Sequence, residues 1–437
     1  MDKYTAIGEI IAAELEAEEV ESFSELEKRV RQVIKQIGNA ALAVSLAKRS
    51  QAEKAQKHEC QCGKRMQEER QRTAQLQTLF GMVTYQRTIY VCGGCGTRNY
   101  ALDEQLGLRP NAMSAEVERL AGLLGSQMPF EKGSLVFEEL MLVSLSDHSL
   151  SKATQAYGKA VEEQEAAWKR QAEDPQELLR QQRENKHPRR LYGSIDGGLV
   201  PTRAETGEPQ PWRELKVGAW FVARGHPPST PNGHWKIKAE HITYYTDIVP
   251  AEEFGPLLWA TGVQRQAQLA DELIFLGDGA RWIWDLVDLY FPDAIQIVDW
   301  FHACQYLAPV AQAAFANKAE QQGWLEHMKT LLWNGQLDDL IAACQQHINS
   351  GQSDDPARKA VTYYTNNRQR MDYPSYRANG YHIGSGTIES GVKQIAAQRL
   401  KVSGARWNLS SARLVAKARA AFLSGQWTAL AARRCAA

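Results

Sequence analysis

Beyond Glu389 the chain contains no acidic residue. Its last 48 positions carry nine basic side chains: Lys393, Arg399, Lys401, Arg406, Arg413, Lys417, Arg419, Arg433 and Arg434. Long apolar runs are also missing. None approaches the ~20 residues that a bilayer-spanning helix needs, which argues against a membrane partner. The opening Met1-Asp2-Lys3-Tyr4 lacks the pattern of a signal peptide, so the expected location is cytoplasmic, in contact with the nucleoid. Cysteine is sparse, and its total of seven is odd, which argues against a disulfide-stapled secreted fold.

The acid-free tail is hidden in the whole-chain balance of 51 Lys and Arg against 51 Asp and Glu. Residues 1–389 hold 42 basic and 51 acidic residues, a net of minus nine. Charge segregated in this way permits a nucleic-acid contact without a high overall pI. At 437 residues, two to four domains with at least one sizeable core are expected.

Four cysteines fall into two close pairs, Cys60-Gln61-Cys62 and Cys92-Gly93-Gly94-Cys95. The stretch from Thr78 to Val91 between them is rich in β-branched and aromatic residues and predicts a strand that delivers the chain to the second pair. Two cysteine turns joined by strands suit a zinc ribbon, in which four thiolates close a tetrahedral structural Zn2+ site. The first pair is C-x-C rather than C-x-x-C, and His58 is an alternative ligand. Cys304, Cys344 and Cys435 are isolated. A catalytic zinc is disfavoured, because all four ligands would be used and no position would remain for water.

Around the ribbon, expected over 51–110, the pattern is helical. In residues 1–50, Ile7, Ile10, Ile11 and Leu15, then Phe23, Leu26, Val30, Val33 and Ile34, recur at helical spacing, with Ser22 or Ser24 as cap of the second run. These helices would pair with each other or with another subunit. Residues 111–190 also read as helical. Phe137–Ser144 followed by Leu150–Tyr157 has the rhythm of helix, polar turn, helix. This is either a helix-turn-helix presenting Ser151, Lys152 and Gln155 to a DNA groove or an ordinary helical hairpin. The charged run from Glu162 to Arg190 reads as exposed helix and linker.

From Leu191 the pattern turns strand-like. Strands are expected at 192–200, 215–222, 241–248, 272–276 and 294–298, with helices at 254–269 and 281–290. A three-strand meander followed by strand, helix, strand predicts a mixed α/β sheet covered by helices. Acidic residues mark its strand ends: Asp196 before Gly197-Gly198, Asp278 before Gly279, and Asp299 with His302 three residues on. Carboxylates clustered at strand ends repel unless cations neutralise them. A pair of Mg2+ ions about 3.5–4 Å apart would do so, and would also activate an attacking oxygen and stabilise the leaving oxygen of an in-line displacement at phosphorus. One Asp-Gly is also a common turn; two at strand ends, with a late Glu before a basic tail, carry more weight.

The series Ser194-Ile195-Asp196-Gly197-Gly198, Gly277-Asp278-Gly279-Ala280, Asp299-Trp300-Phe301-His302 and Gly386-Thr387-Ile388-Glu389-Ser390 resembles the DDE transposases of bacterial insertion sequences, in the Mutator-like group and close to its Kra-type branch. The likeness extends through Gln398–Trp407. It covers the ribbon and residues 190–437, and leaves 1–50 unmatched. The resemblance implies an RNase H-like mixed-sheet core beginning in 191–302, a helical insertion over 303–380, and a Glu-bearing helix with basic tail over 381–437. It further implies an Asp196, Asp278, Glu389 triad with separations of 82 and 111 residues, which would hold two Mg2+ or Mn2+ ions, and an intervening motif formed by Asp299 and His302. In RNase H-like enzymes the second Asp ends the strand beside the first, a description that Asp299 could also meet. His302 would orient a ligand or simply start a helix.

The tail then acquires a role. Lys393, Arg399, Lys401 and Arg406 would pair with backbone phosphates, and Trp407 would either stack on an unpaired base or pack the helix onto the sheet. The N-terminal half would recognise the element's ends. The expected activity is Mg2+-dependent cleavage of double-stranded DNA at transposon ends followed by strand transfer into target DNA, carried out by a homodimer or larger assembly. A nuclease without strand transfer and a domesticated, non-catalytic DNA-binding protein are the alternatives.

Overall fold

In the computed structural model, which describes residues 2–15, 22–184, 187–204, 211–226, 236–348 and 355–436, the chain divides into two units. Residues 1–157 and 429–437 form the first, and 158–428 the second. The first division thus falls inside a helix, rather than at the 190/191 composition change.

The first unit begins with α1 (Lys3–Leu15) and α2 (Phe23–Lys54), the latter capped by Ser22, whose hydroxyl accepts from the Glu25 N–H at 3.2 Å. One side of α2 packs Leu42, Ala43 and Leu46 against Ala74, Leu76, Val83, Tyr85 and Leu102. Those partners come from β1 (Met66–Thr78), β2 (Gly81–Cys92) and α3 (Ala101–Leu106). With β3 (Arg98–Asn99) and β4 (Ala112–Met113), the strands form a sheet of order β3-β2-β1-β4. The expected single strand over 78–91 is therefore corrected. Thr78 ends one strand and pairs with Gly81 across a tight turn, where Gly81 has a φ of 101° that favours glycine. Next, α4 (Ala115–Gln127), α5 (Phe130–Met141) and the start of α6 (Asp147–Glu173) enclose a core of Val117, Ala121, Phe137, Val143, Leu145, Leu150 and Ala153. On α6 Lys152 is exposed, with Ser151 and Gln155 half-buried beside it.

The second unit takes up the rest of α6 and α7 (Pro175–Arg183), capped by Asp174. The exposed linker expected there is instead packed structure, with Glu165, Ala172 and Gln181 buried. Its five-stranded sheet has the order β7-β6-β5-β8-β9, from β5 (Arg190–Pro201), β6 (Trp212–His226), β7 (Lys236–Asp247), β8 (Glu272–Gly277) and β9 (Ile295–Val298). The first three strands are antiparallel, and β8 and β9 run parallel to β5. Such parallel pairs need crossovers, and α8 (Ala251–Gln264) and α9 (Arg281–Tyr290) lie in those connections. After β9 the chain is helical: α10 (Trp300–Gln305), α11 (Leu307–Ala314), α12 (Lys318–Trp333), α13 (Leu337–Gln345), α14 (Pro356–Asn366) and α15 (Tyr373–Ala378). The chain closes with α16 (Gly386–Val392), a π-helical run over Lys393–Leu400, α17 (Leu409–Leu423) and α18 (Trp427–Ala436).

Much of the basic tail is internal. Lys417 is 1 % exposed and donates to Glu165 at 2.6 Å, with Asp247 at 3.0 Å. Arg413 joins Asp247 at 2.6 Å and Glu162 at 3.1 Å, and Arg434 meets Glu118 at 3.0 Å. Attraction to the two acids holds the Lys417 ammonium above its ordinary pKa although burial opposes its charge. Lys417→Ala would strand the buried Glu165 without its cation and leave Asp247 with Arg413 alone, which should cost roughly 3–5 kcal/mol; chemical denaturation of the purified variant measures it.

Candidate functional site

The sheet register brings two of the expected acids level. Ser194 on β5 pairs with Leu276 on β8, so Asp196 and Asp278 each stand two residues beyond that pair on neighbouring parallel strands. Each carboxylate is fixed by a nearby backbone: the Gly197 N–H donates to Asp196 at 2.7 Å, and the Ala280 N–H donates to Asp278 at 2.8 Å. Tyr363 of α14 donates its hydroxyl to the Asp278 carbonyl at 2.7 Å. Nothing in the sequence pattern singled out this tyrosine. On β5, Gly198 lets the Glu389-bearing segment come close: a Cβ there would lie 2.8 Å from Val392 and 3.2 Å from Ala396.

Asp299 lies one strand further out. It is fully buried and caps α10, accepting from the His302 N–H at 2.6 Å and facing the His302 ring Nδ1 at 3.2 Å; its second oxygen accepts from the Ser385 N–H. The Ser385 hydroxyl donates to Glu389 at 2.8 Å, and His302 Nδ1 stands 3.6 Å from Glu389. Asp299, His302 and Glu389 offer ligand atoms all within 4.8 Å of one another, a grouping able to hold a metal ion. Asp196 and Asp278 lie outside that tight group. With both oxygens engaged inside the protein, Asp299 orients His302 and the turn before Glu389. Ser385 performs the same service and lay unmarked within the Gly384–Ser390 stretch.

Electrostatics tie the set together. Burial opposes charge on Asp299, yet hydrogen bonds from the His302 side chain and backbone and from Ser385 hold it below its ordinary pKa. The hydrogen bond to Asp299 raises that of His302, with Asp278 and Glu389 adding to it. Burial pushes Asp196 up to about 6 against the Gly197 hydrogen bond; Asp278 and Glu389 push the same way and His302 opposes. An acid raised from 3.8 to about 6 favours the folded state below pH ~4, and this contribution is lost as pH rises through 6. Asp196→Asn should therefore melt higher than the natural chain at pH 8 by roughly 2–4 °C and equally at pH 4. Added Mg2+ should raise the melting temperature of the natural chain more than that of the variant. Thermal scans at the two pH values check both.

Beside Asp278 opens a cleft of about 730 Å3 lined by Gly279, Arg281, Tyr306, Arg358, Lys359 and Tyr363, among others. Tyr306 and Tyr363 are stacked there at 3.8 Å. Of the tail residues expected at DNA, Lys393, Lys401 and Arg406 are exposed. Arg399 is corrected: it is 1 % exposed and lies over the Trp407 ring at 5.1 Å, where burial lowers its pKa to about 10. Trp407 is half-buried, donates its indole N–H to Leu400 O at 2.9 Å and bridges Thr202 at the end of β5. Of its two readings, packing onto the sheet is the one observed.

In the first unit the four paired cysteines converge. Cys60 and Cys95 Sγ atoms are 3.5 Å apart, as are those of Cys62 and Cys92, and all four lie within 4.8 Å. A regular tetrahedron with ~2.3 Å zinc–sulfur bonds has edges of about 3.8 Å, so the cluster fits Zn2+. Each cysteine turn closes on a left-handed glycine, Gly63 and Gly96. Hydrogen bonds from the Thr97 side chain and backbone bring Cys95 down to about 6. His58 is not in the group. It faces Glu53 at 2.8 Å and packs on Tyr90 at 4.1 Å. Burial raises the Cys304 and Cys344 thiols to about 11 and 12, which leaves them unreactive; the Cys435 side chain lies outside the described residues.

Residues 16–209 match the model of a family described as Uncharacterised protein family (UPF0236). That stretch includes the cysteine cluster, α4 to α7 and the strand bearing Asp196, and ends before Asp278 and Glu389. No curated protein matches the chain. Among the described residues, no helix is long and apolar enough to cross a membrane.

Proposed function

We propose that this chain is a DNA transposase with an RNase H-like core, in which Asp196, Asp278 and Glu389 bind two Mg2+ or Mn2+ ions. The observation that carries the reading is the level placement of Asp196 and Asp278 on adjoining parallel strands, with the Glu389 helix packed at Gly198 on the first of them. Asp278 follows the end of β8, whereas Asp196, expected at a strand end, lies within β5, which continues to Pro201. It favours Asp278 over Asp299 as the second acid, because β8 is the strand beside β5 and β9 is the edge. Bound cations would supply activation of the attacking oxygen and charge for the leaving one.

The chain's own residues then divide the work. Asp196, Asp278 and Glu389 would hold the cations, and the cations would offset the carboxylates' repulsion of the reacting phosphate. Asp299 and Ser385 hold His302 and Glu389 in orientation. Lys393, Lys401 and Arg406, with Arg281, Arg358 and Lys359 of the cleft beside Asp278, are suited to the phosphates of the flanking strands. In the first step a water oxygen bonds to the end phosphorus and the 3′-oxygen leaves with a proton as a free hydroxyl. In the second that 3′-oxygen attacks a target phosphorus and displaces the target's own 3′-oxygen. Joining two ends calls for at least two subunits.

The zinc-binding ribbon and helices α4–α6, with Lys152 outermost, are suited to recognising the ends. Full-length protein, the DNA flanking its gene, a supercoiled plasmid and Mg2+ test the whole reading. Joined products support transposition; nicks alone indicate a nuclease, and binding without cleavage a non-catalytic DNA-binding protein.

A further inference from the structure

The helix α2 is apolar on two opposite sides, and among the described residues the hairpin covers only one of them. Leu42 and Leu46 face the hairpin core, and Gly38 and Asn39 meet the hairpin tip: a Cβ on Gly38 would lie 2.3 Å from the Phe80 ring, and Asn39 donates to Phe80 O at 3.1 Å. On the far side Phe23 is 80 % exposed, Ile34 47 %, Ile37 43 % and Val44 54 %. A helix in water normally carries one apolar stripe, and a second stripe marks a second partner.

The exposed residues keep a seven-residue rhythm. Phe23, Ile37 and Val44, with the half-buried Val30 between them, recur at one position of the heptad, and Glu27, Ile34, Ala41 and Lys48 at the other. That alternation of four and three is the seam of a helix pair, and α2, at 32 residues, is about 48 Å long. The two charges on the seam select both the partner and its direction. A parallel copy would set Glu27 against the partner's Glu27 and Lys48 against the partner's Lys48. An antiparallel copy that sets Ile34 against the partner's Val44 and Ile37 against the partner's Ala41 sets Lys48 level with the partner's Val30. Lys48 then stands three residues, about 4.5 Å along the axis, from the partner's Glu27, within reach of the lysine's four-carbon stem, at both ends at once. One surface patch complementary to itself under a two-fold axis is the requirement of a symmetric dimer.

We infer that the outer face of α2 is the interface of a homodimer, in which the two helices pair antiparallel through Ile34, Ile37, Ala41 and Val44 and are locked in direction by Glu27 and Lys48. The inference stands apart from the transposase reading, since it is measured without DNA or Mg2+. Sedimentation of the full-length protein at micromolar concentration should give twice the 49.0 kDa chain mass. Ile34→Glu with Ile37→Glu should give the single-chain mass. Glu27→Lys and Lys48→Glu, both surface changes that leave the inner face untouched, should each weaken the dimer on the order of 10-fold, and the two together should restore it. A natural chain that sediments as a monomer at tens of micromolar, a dimer indifferent to the Ile34/Ile37 change, or a double exchange no better than the single ones would overturn it.

Discussion

Asp278→Ala should leave the full-length chain folded and reduce Mg2+-dependent DNA cleavage by at least ~10^3-fold, the rate equivalent of the several kcal/mol that a correctly held metal contributes to a phosphoryl-transfer transition state. Little of the fold rests on its side chain, whose described hydrogen bond is the local one from Ala280. Its expected effect on the melting temperature is therefore small. Asp299→Ala should also lose activity, by a different route. Asp299 is fully buried and receives the His302 N–H, the His302 ring and the Ser385 N–H. Removing it orphans a helix cap and a buried amide, each worth about 1–3 kcal/mol. The two variants are thus separated by their stability: cleavage measured beside melting temperature should show one stable and inactive, the other destabilised and inactive. Substantial cleavage by Asp278→Ala would transfer the second acid's role to Asp299.

The strand ends were legible because their signal is local. Ile274-Phe275-Leu276 and Ile295-Gln296-Ile297-Val298 are short apolar runs that buried parallel strands need, and an Asp-Gly directly after the first marks where it stops. The helix 281–290 was legible by its amphipathic periodicity alone, since Ala280 before it offers no side-chain cap. The strand Met66–Thr78 was not, because its residues from Gln67 to Thr73 are polar and exposed, and only pairing with β2 makes them a strand. Arg399 and Lys417 look like surface cations in the sequence. Their burial depends on Trp407 in one case and on Glu165 and Asp247 in the other, partners up to 252 residues away that no local pattern reveals. The acid-free tail therefore has two physical origins. Part of it answers acids buried earlier in the chain, and Lys393, Lys401 and Arg406 stay at the surface, where the proposed function gives them phosphate to meet.

Stripping zinc, or replacing Cys92 by Ser, should unfold the module between α2 and α4 without touching Asp196 and Asp278. The hairpin has little else to hold it near the cysteines: Cys60, Met66, Tyr90 and Cys92 form a core of four buried residues with Ala101 packed against it. That is too small a hydrophobic cluster to fix two turns alone, whereas a structural Zn2+ contributes about 10–16 kcal/mol of coupled binding and folding energy in isolated zinc modules. Metal analysis of the natural chain should return one zinc per chain, and Cys92→Ser none. In that variant limited proteolysis should cut within residues 58–99 at rates raised on the order of 10^2-fold or more, since cleavage follows the population of the opened segment. The sheet that carries Asp196 and Asp278 should keep its protection, because Cys60, Cys62, Cys92 and Cys95 all lie in the other compact unit. Equal zinc content in the natural chain and Cys92→Ser would show that the four thiols do not form the site. Zinc lost with no change in proteolysis would show that the hairpin core suffices without it.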